Sequence, residues 1–355
     1  MRTYRIIFLP IAIIYGFFVK LRHLLFDIGI LKSVSYKIPI IGVGNLVMGG
    51  SGKTPQVEYL VRLLSEEFRV AILSRGYGRK SKGYLKANQY SKYHDIGDEP
   101  MQYYRKFHRN VVVAVDGKRR RGVSNLMVDK DLHDVVLMDD SFQHRYVKPG
   151  ISILLTDIQN IYKQDYLFPV GKLRDTISSA KRADMVIVTK TNTVLSPITR
   201  RNITNLLKLE PHQKLYFSHI RYGNLTPLVE SNQIKFPRKI NTILLFTGIA
   251  NPYPLQEHLR LKCSDFMAID FPDHHQFSKS DLVTIRNKFE GFFTKNKIIV
   301  TTEKDAMRLI NSPYISELNN LPVFYLPMEV KLHKDDREEF NNQIINYVRK
   351  NKLNR

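Results

Sequence analysis

The residues Gly49-Gly50-Ser51-Gly52-Lys53-Thr54 follow a short apolar run, Ile38 to Val43, and precede a helical pattern, Val57 to Leu64. A glycine-rich turn between a strand and a helix aims consecutive backbone N–H groups, and the helix N-terminus behind them, at phosphate oxygens. In such a P-loop Lys53 reaches the β- and γ-phosphates and the Thr54 hydroxyl ligates Mg²⁺. The usual pattern has glycine five residues before Gly52, where this chain has Val47; Gly49 and Gly50 supply the backbone freedom instead. The candidate nucleotide-binding residues are therefore Val47, Met48, Gly49, Gly50, Ser51, Gly52, Lys53 and Thr54. The plain alternative is a glycine turn with an incidental Lys-Thr.

Three acid- or histidine-bearing segments could complete such a site. Val135-Val136-Leu137-Met138 is an apolar strand pattern that ends in Asp139 and Asp140. That arrangement suits an element holding Mg²⁺ at the carboxyl edge of a sheet, although strand-end aspartates also serve as caps. Gly97-Asp98-Glu99-Pro100 reads first as a helix N-terminus, with the acids capping it and proline just inside. Phe271-Pro272-Asp273-His274-His275 pairs two histidines with an acid but lacks a third ligand at local spacing, so a polar or catalytic role is favoured over a metal site. A kinase needs a carboxylate or imidazole beside its acceptor hydroxyl, and both segments offer one.

The elements that must position these residues form an α/β alternation. Strands are expected at Val70–Leu73, Val111–Val115, Val135–Met138, Ile151–Thr156 and Met185–Thr189, with helical stretches between them, which predicts a parallel sheet covered by helices. Two alternating segments, 215–220 and 231–236, flank a polar turn region at Asn224 to Pro227 and suggest a β-hairpin linker. A second α/β unit follows, with strands at Ile243–Phe246, Phe266–Ile269, Lys297–Thr301 and Val323–Leu326 and a closing amphipathic helix over Asp335–Arg349. The division is an N-terminal helix over 1–30, a P-loop domain over 31–212, a linker over 213–240 and a C-terminal α/β domain over 241–355.

Charge and the N-terminus narrow the setting. The 355 residues carry 55 Lys plus Arg against 33 Asp plus Glu, a formal +22, and such a field gathers polyanions, whether nucleic acid, phosphorylated small molecules or an anionic leaflet. Between Arg75 and Arg121 stand 13 cations and four acids, a net +9. Residues 6–19 are free of charge, flanked by Arg2, Arg5, Lys20 and Arg22, yet shorter than the ~20 apolar residues that span a bilayer and interrupted by Pro10. They read as an interfacial helix, or as a helix packed into the core; the two can hold for different faces. Cys263 is the only cysteine; it permits no internal disulfide or Cys-based metal site and reads as a buried, inert thiol.

Taken together, several strings resemble those of the tetraacyldisaccharide 4'-kinase family. They are Gly44-Asn45, Gly49 to Pro55, Ser74 to Arg79, Gly97 to Pro100, Asp139 to Arg145, Gly171 to Asp175, Gly248 to Pro252, Asp273-His274 and Thr302 to Asp305, in family order. Ser141 stands where the family pattern has glycine. The resemblance implies two α/β/α domains joined by a β-stranded linker, with the N-terminal helix on the membrane. It implies transfer of the ATP γ-phosphate to the 4'-hydroxyl of a tetraacylated glucosamine disaccharide 1-phosphate, giving lipid IVA, with ATP and Mg²⁺ as cofactors. Asp98 matches the catalytic base and His274 its partner; Asp139 and Asp140 match acids near Mg²⁺, with Thr54 and Glu99 in the same metal cluster. The implied partners are the acylated disaccharide lipid and an anionic membrane surface, at the cytoplasmic face of the inner membrane of a Gram-negative bacterium. No nucleic acid and no obligate protein partner are expected.

Two other classes have weaker support in the sequence. A P-loop ATPase or GTPase switch finds only a faint base-recognition motif at Thr189-Lys190, with Asn192 where Asp is expected. A nucleic-acid binder is suggested by the net charge and by Lys118-Arg119-Arg120-Arg121, but such a run ordinarily lies on a solvated face, and no recognition motif accompanies it.

Overall fold

The structure is a computed structural model and describes residues 7–129, 133–228, 237, 239–310 and 312–352. It opens with α1 (Leu9–Asp27), followed by β1 (Ile40–Asn45), α2 (Lys53–Leu64), β2 (Val70–Ser74), β3 (Leu85–Lys86), α3 (Tyr93–Ile96), α4 (Asp98–Phe107), β4 (Val111–Val115) and α5 (Arg119–Val128). Next come β5 (Val135–Met138), β6 (Ile151–Asp157), β7 (Met185–Thr191), α6 (Pro197–Leu207) and β8 (Lys214–Tyr222). The remainder is β9 (Thr226–Pro227), β10 (Thr242–Thr247), α7 (Tyr253–Arg260), β11 (Asp265–Asp270), α8 (Lys279–Glu290), β12 (Lys297–Thr302), α9 (Glu303–Leu309), β13 (Val323–Leu326), β14 (Met328–Leu332) and α10 (Lys334–Asn351).

These strands form two sheets. The larger has the order β14-β8-β7-β6-β1-β5-β2-β4-β3, parallel from β8 to β4 and antiparallel only at its edges. The smaller runs β11-β10-β12-β13-β9 and is parallel except at β9. Strands such as β1, β2 and β5 are apolar and buried throughout because helices cover both faces. On one face Ile41, Val43, Ile72 and Leu137 pack against Val57, Leu60 and Leu64 of α2 and Phe340, Ile344 and Val348 of α10. On the other, Ile40, Leu73 and Met138 meet Val123 and Leu126 of α5.

Two parts of the expected division differ. The C-terminal segment does not stay with the smaller sheet: β14 pairs antiparallel with β8, and α10 covers the larger sheet. The physical reason is the 340-344-348 apolar stripe of α10, which is buried only against the first core. Nor does the linker close as a simple hairpin among the described residues, since β8 belongs to the larger sheet and β9 to the smaller one. The expected second strand, 231–236, lies outside the described residues.

The N-terminal helix is longer than the apolar run predicted. At 19 residues it is long and apolar enough to cross a membrane by length and composition. One side of it packs on the body of the protein. Ala12, Gly16 and Phe26 are buried, Tyr15 Oη donates to Arg174 O at 2.8 Å, Arg22 donates to Gln143 O at 2.9 Å, and His23 meets Asp175 at 2.6 Å. These contacts, from Ala12 to Phe26, run over about four turns and leave most of the apolar side chains, among them Ile13, Ile14, Phe17 and Leu21, exposed.

Candidate functional site

The Gly49–Thr54 loop springs from the carboxyl end of β1, a central strand flanked by β5 and β6, which is where open α/β sheets bind ligands. Its turn needs positive φ at Gly49 (109°) and Gly52 (85°), values that side-chain-bearing residues rarely adopt. Thr189, at the end of β7, donates its hydroxyl to Ser51 O at 2.9 Å and holds the loop from beneath. Lys53 stands at the first turn of α2, with Nζ 3.4 Å from Asn45 Oδ1 and 3.7 Å from Asp140 Oδ1.

Asp139 and Asp140 both follow β5 but sit in opposite environments. Asp139 is fully buried: Oδ2 accepts from Ser74 Oγ at 3.2 Å, while Oδ1 has no hydrogen-bond partner among the described residues. Burial, reinforced by Glu99 and Asp140, pushes its pKa up to about 7 against the pull of Lys53 and Arg119. Asp140 has positive φ (46°) and forms a two-pronged ion pair with Arg174. Burial would raise its pKa, but Lys53, Arg174 and Arg119 overcome it and hold the carboxyl well below the usual range.

This donor set fits Mg²⁺. The ion is usually held by one or two carboxylates plus phosphate oxygens and water, not by an all-protein cage. Among the described residues no group of three His, Cys, Asp or Glu is placed to hold a metal alone. The orphaned Asp139 Oδ1 and the partnerless, buried Ser51 Oγ are what a nucleotide–metal complex would satisfy. Tyr103 is fully buried within electrostatic reach of Asp139, Glu99 and Glu58. Burial followed by the three acids holds its hydroxyl well above the usual pKa.

The second cluster joins the two sheets. Asp98 is the first residue of α4, where its Oδ1 accepts from Glu99 N–H at 2.9 Å. Gly97, not Asp98, takes the cap position, with no side-chain cap bond, so the acids stand in the first turn of α4 and do not cap it as the sequence suggested. Asp98 Oδ2 meets His274 Nδ1 at 3.1 Å and accepts from Arg308 Nη2. Lys304 Nζ lies 3.1 Å from His274 Nε2 and 3.9 Å from both Asp98 and Glu99. A lysine ammonium can only donate, so with Nε2 accepting from Lys304 the Nδ1–H points to Asp98, and the 3.2 Å approach of Arg308 Nη2 to Nδ1 is a contact without a hydrogen bond. Burial opposes the Asp98 charge, but His274, Lys304 and Arg308 hold its pKa far below the ordinary value. His274 takes positive φ (60°) and packs against the Tyr77 ring at 4.9 Å. Its neighbour His275 turns away to Asp281 at 2.9 Å and stacks on Phe271.

Other site residues carried no assigned role in the sequence. Arg308 and Lys304 belong to α9; Lys304 falls in a quoted motif, while Arg308 is one helical turn further on and had no signal. Arg119 corrects the reading of the 118–121 run as a solvated face. It is buried, donating to Asp116 O at 2.6 Å and Asp139 O at 3.0 Å, because the start of α5 points it under the β5 terminus. Arg121, by contrast, is exposed and pairs with Asp116. Cys263 is half-buried, not fully buried; its thiol donates to Leu259 O at 3.5 Å, and burial raises its pKa.

Comparison with known proteins gives consistent matches along the chain. Residues 4–349 match the family model described as tetraacyldisaccharide-1-P 4'-kinase. A tetraacyldisaccharide 4'-kinase of Bacteroides thetaiotaomicron is 45% identical over 97% of this chain and 93% of its own length. Its counterpart in Parabacteroides distasonis is 42% identical over 96% of this chain and 93% of its own. A crystal structure of LpxK from Aquifex aeolicus in complex with ATP superposes with a TM-score of 0.72 at 28% identity, covering 97% of this chain and 99% of that one.

Proposed function

Because this chain belongs to the tetraacyldisaccharide 4'-kinase family, we propose how its own residues divide the work of that reaction. The protein is an ATP-dependent kinase that phosphorylates a lipid A precursor at the 4' position, using ATP with Mg²⁺. Neither the switch ATPase nor the nucleic-acid binder finds support.

In our reading the loop from Val47 to Thr54 binds the ATP phosphates, with Lys53 released from Asp140 toward the transferring oxygens. Thr54, Asp139 and Glu99 would hold Mg²⁺, which when bound would neutralise charge on the phosphates. Asp140, tied to Arg174, orients Lys53 and the metal's surroundings. The acceptor hydroxyl is oriented and deprotonated by Asp98, with His274 as its partner. The observation that carries this is the 3.1 Å contact of His274 Nδ1 with Asp98 Oδ2 across 176 residues of sequence and two sheets. Asp98 Oδ1, engaged among the described residues only by the Glu99 N–H, keeps a lone pair for a hydroxyl. So acidic a carboxylate is a weak base, yet phosphoryl transfer through a loose transition state asks mainly for positioning and electrostatics. The P-loop unit (31–212) and the C-terminal unit then face each other across the acceptor site.

We further place α1 at the cytoplasmic face of the membrane, its exposed apolar face in the acyl boundary and its cations at anionic head groups. The direct test is incubation with labelled ATP and a mono-phosphorylated acyl-disaccharide, followed by identification of the product. Label at the 4' position is expected. Lys53→Ala, folded by circular dichroism, should give none; near-wild-type turnover by that variant would remove the P-loop assignment.

A further inference from the structure

The loop that includes Gly171-Lys172-Leu173-Arg174-Asp175 is joined to both the P-loop and α1. Phe168 N–H donates to Leu173 O at 2.9 Å, Leu173 N–H to Tyr166 O at 2.9 Å and Gly171 N–H to Leu167 O at 3.0 Å, so residues 166–173 form a tight, self-bonded projection. Its returning arm is bonded to the P-loop approach: Met48 N–H donates to Lys172 O at 2.7 Å, and Arg174 N–H to Leu46 O at 2.9 Å. A shift of this projection is therefore transmitted directly to the residues before Gly49.

The tip is apolar and open. Tyr166 is 60% exposed, Phe168 45% and the adjacent Met48 44%. Beside them Leu167 packs on α1 so closely that a Cβ at Gly16 would stand 2.8 Å from its Cδ1, and the Tyr15 ring meets Phe168 edge-on at 6.4 Å. The tip thus abuts the packed side of α1, whose remaining apolar side chains, Ile14 and Phe18 among them, are exposed, and Lys172 is exposed in the same loop. Soluble proteins seldom present contiguous apolar surface of this kind, and aromatic rings flanked by a cation suit the boundary between head groups and acyl chains.

We propose that the Tyr166–Phe168 projection is a second membrane-insertion point, which with α1 seats the mouth of the P-loop at the head-group plane. This rests on the reading of α1 as an interfacial helix. Two contacts fix an orientation where one helix permits rotation about its axis, and here the second is bonded to the phosphate-binding loop.

The chain contains no tryptophan, so single Trp substitutions act as site-specific reporters. In the full-length protein, Phe168→Trp, Phe17→Trp on the exposed face of α1 and Leu261→Trp on the far lobe (90% exposed) are compared. Vesicles of phosphatidylethanolamine and phosphatidylglycerol are used with and without brominated acyl chains. Blue-shifted emission and bromine quenching are expected for Phe168→Trp and Phe17→Trp and not for Leu261→Trp. If Phe17→Trp is quenched and Phe168→Trp is not, the second insertion point is wrong while the helix reading stands; if neither is quenched, both are wrong. Equal quenching of Leu261→Trp would equally overturn site-specific insertion. Phe168→Ser should lower the vesicle partition coefficient about tenfold; an unaltered partition coefficient overturns the proposal.

Discussion

At the scale of single residues, the Asp98–His274 pair makes the sharpest expectations. A positioned base contributes about 10²–10⁴-fold, so Asp98→Ala should cost about that in kcat with a smaller change in apparent ATP affinity. His274→Ala should also slow turnover, and the double variant should lose far less than the product of the single losses, as groups acting as one unit do. Multiplicative losses in steady-state kinetics would separate the two residues. His275→Ala is the control, since that ring is committed to Asp281 and Phe271; an effect larger than that of His274→Ala would move the assignment. Arg308 supplies a pH test. Burial raises the Asp98 pKa, and Arg308 is one of the groups that reverse this. In Arg308→Gln the Asp98 pKa should rise toward the working range, so its ionised fraction falls as pH falls. The variant's kcat should therefore drop more at pH 6 than at pH 8 relative to wild type; a pH-independent deficit would rule this out.

At the scale of elements, three helices are tied by a buried ionic knot behind the site. Lys106 of α4 lies 2.7 Å from Glu58 of α2 and 2.7 Å from Glu303 of α9, while Gln102 donates to both acids. Two acids share one ammonium, and burial, with Glu58 acting against Lys106, pushes the Glu303 pKa up to about 7 from 4.5. The folded state thus holds the Glu303 proton more tightly than the unfolded chain. That stabilisation is full below pH 4.5 and is lost as pH rises through about 7. Glu303→Gln removes this dependence, so its Tm relative to wild type should climb between pH 5 and pH 8. A Tm difference that stays flat across that range in calorimetry would mean Glu303 does not titrate there.

At the scale of the whole molecule, the +22 charge and the exposed face of α1 act together. Deleting residues 1–22 removes the apolar run and the cations Arg2, Arg5, Lys20 and Arg22, each worth about 1 kcal/mol beside an anionic surface. Co-sedimentation with anionic vesicles should fall sharply, and what remains should weaken with salt. Partition equal to that of the full chain would show that α1 does not carry membrane binding. The deletion also removes Tyr15, which holds the Arg174 carbonyl, and Arg22, which holds Gln143, so some loss of turnover on dispersed substrate is expected as well.

The sequence by itself fixed whatever depends on local order along the chain. The strand–loop–helix at 40–64, the acid-ended strand at 135–140 and the α/β alternation are legible because periodicity and glycine placement are local, and the family motifs carried Asp98 and His274 with them. Which residues surround those motifs was decided only by tertiary packing. Ile96 and Met101, on either side of Asp98, are buried in the core of the smaller sheet with Phe246 and Met307. That shared apolar joint draws α9 against α4 and delivers Arg308 and Lys304 to Asp98, over a separation no local pattern encodes. The same holds for α10, whose stripe is apolar by pattern but finds its complement on the first sheet. It holds too for Arg119, charged and in a basic run, yet buried beneath Asp139, because the direction of a side chain follows from where its helix is docked.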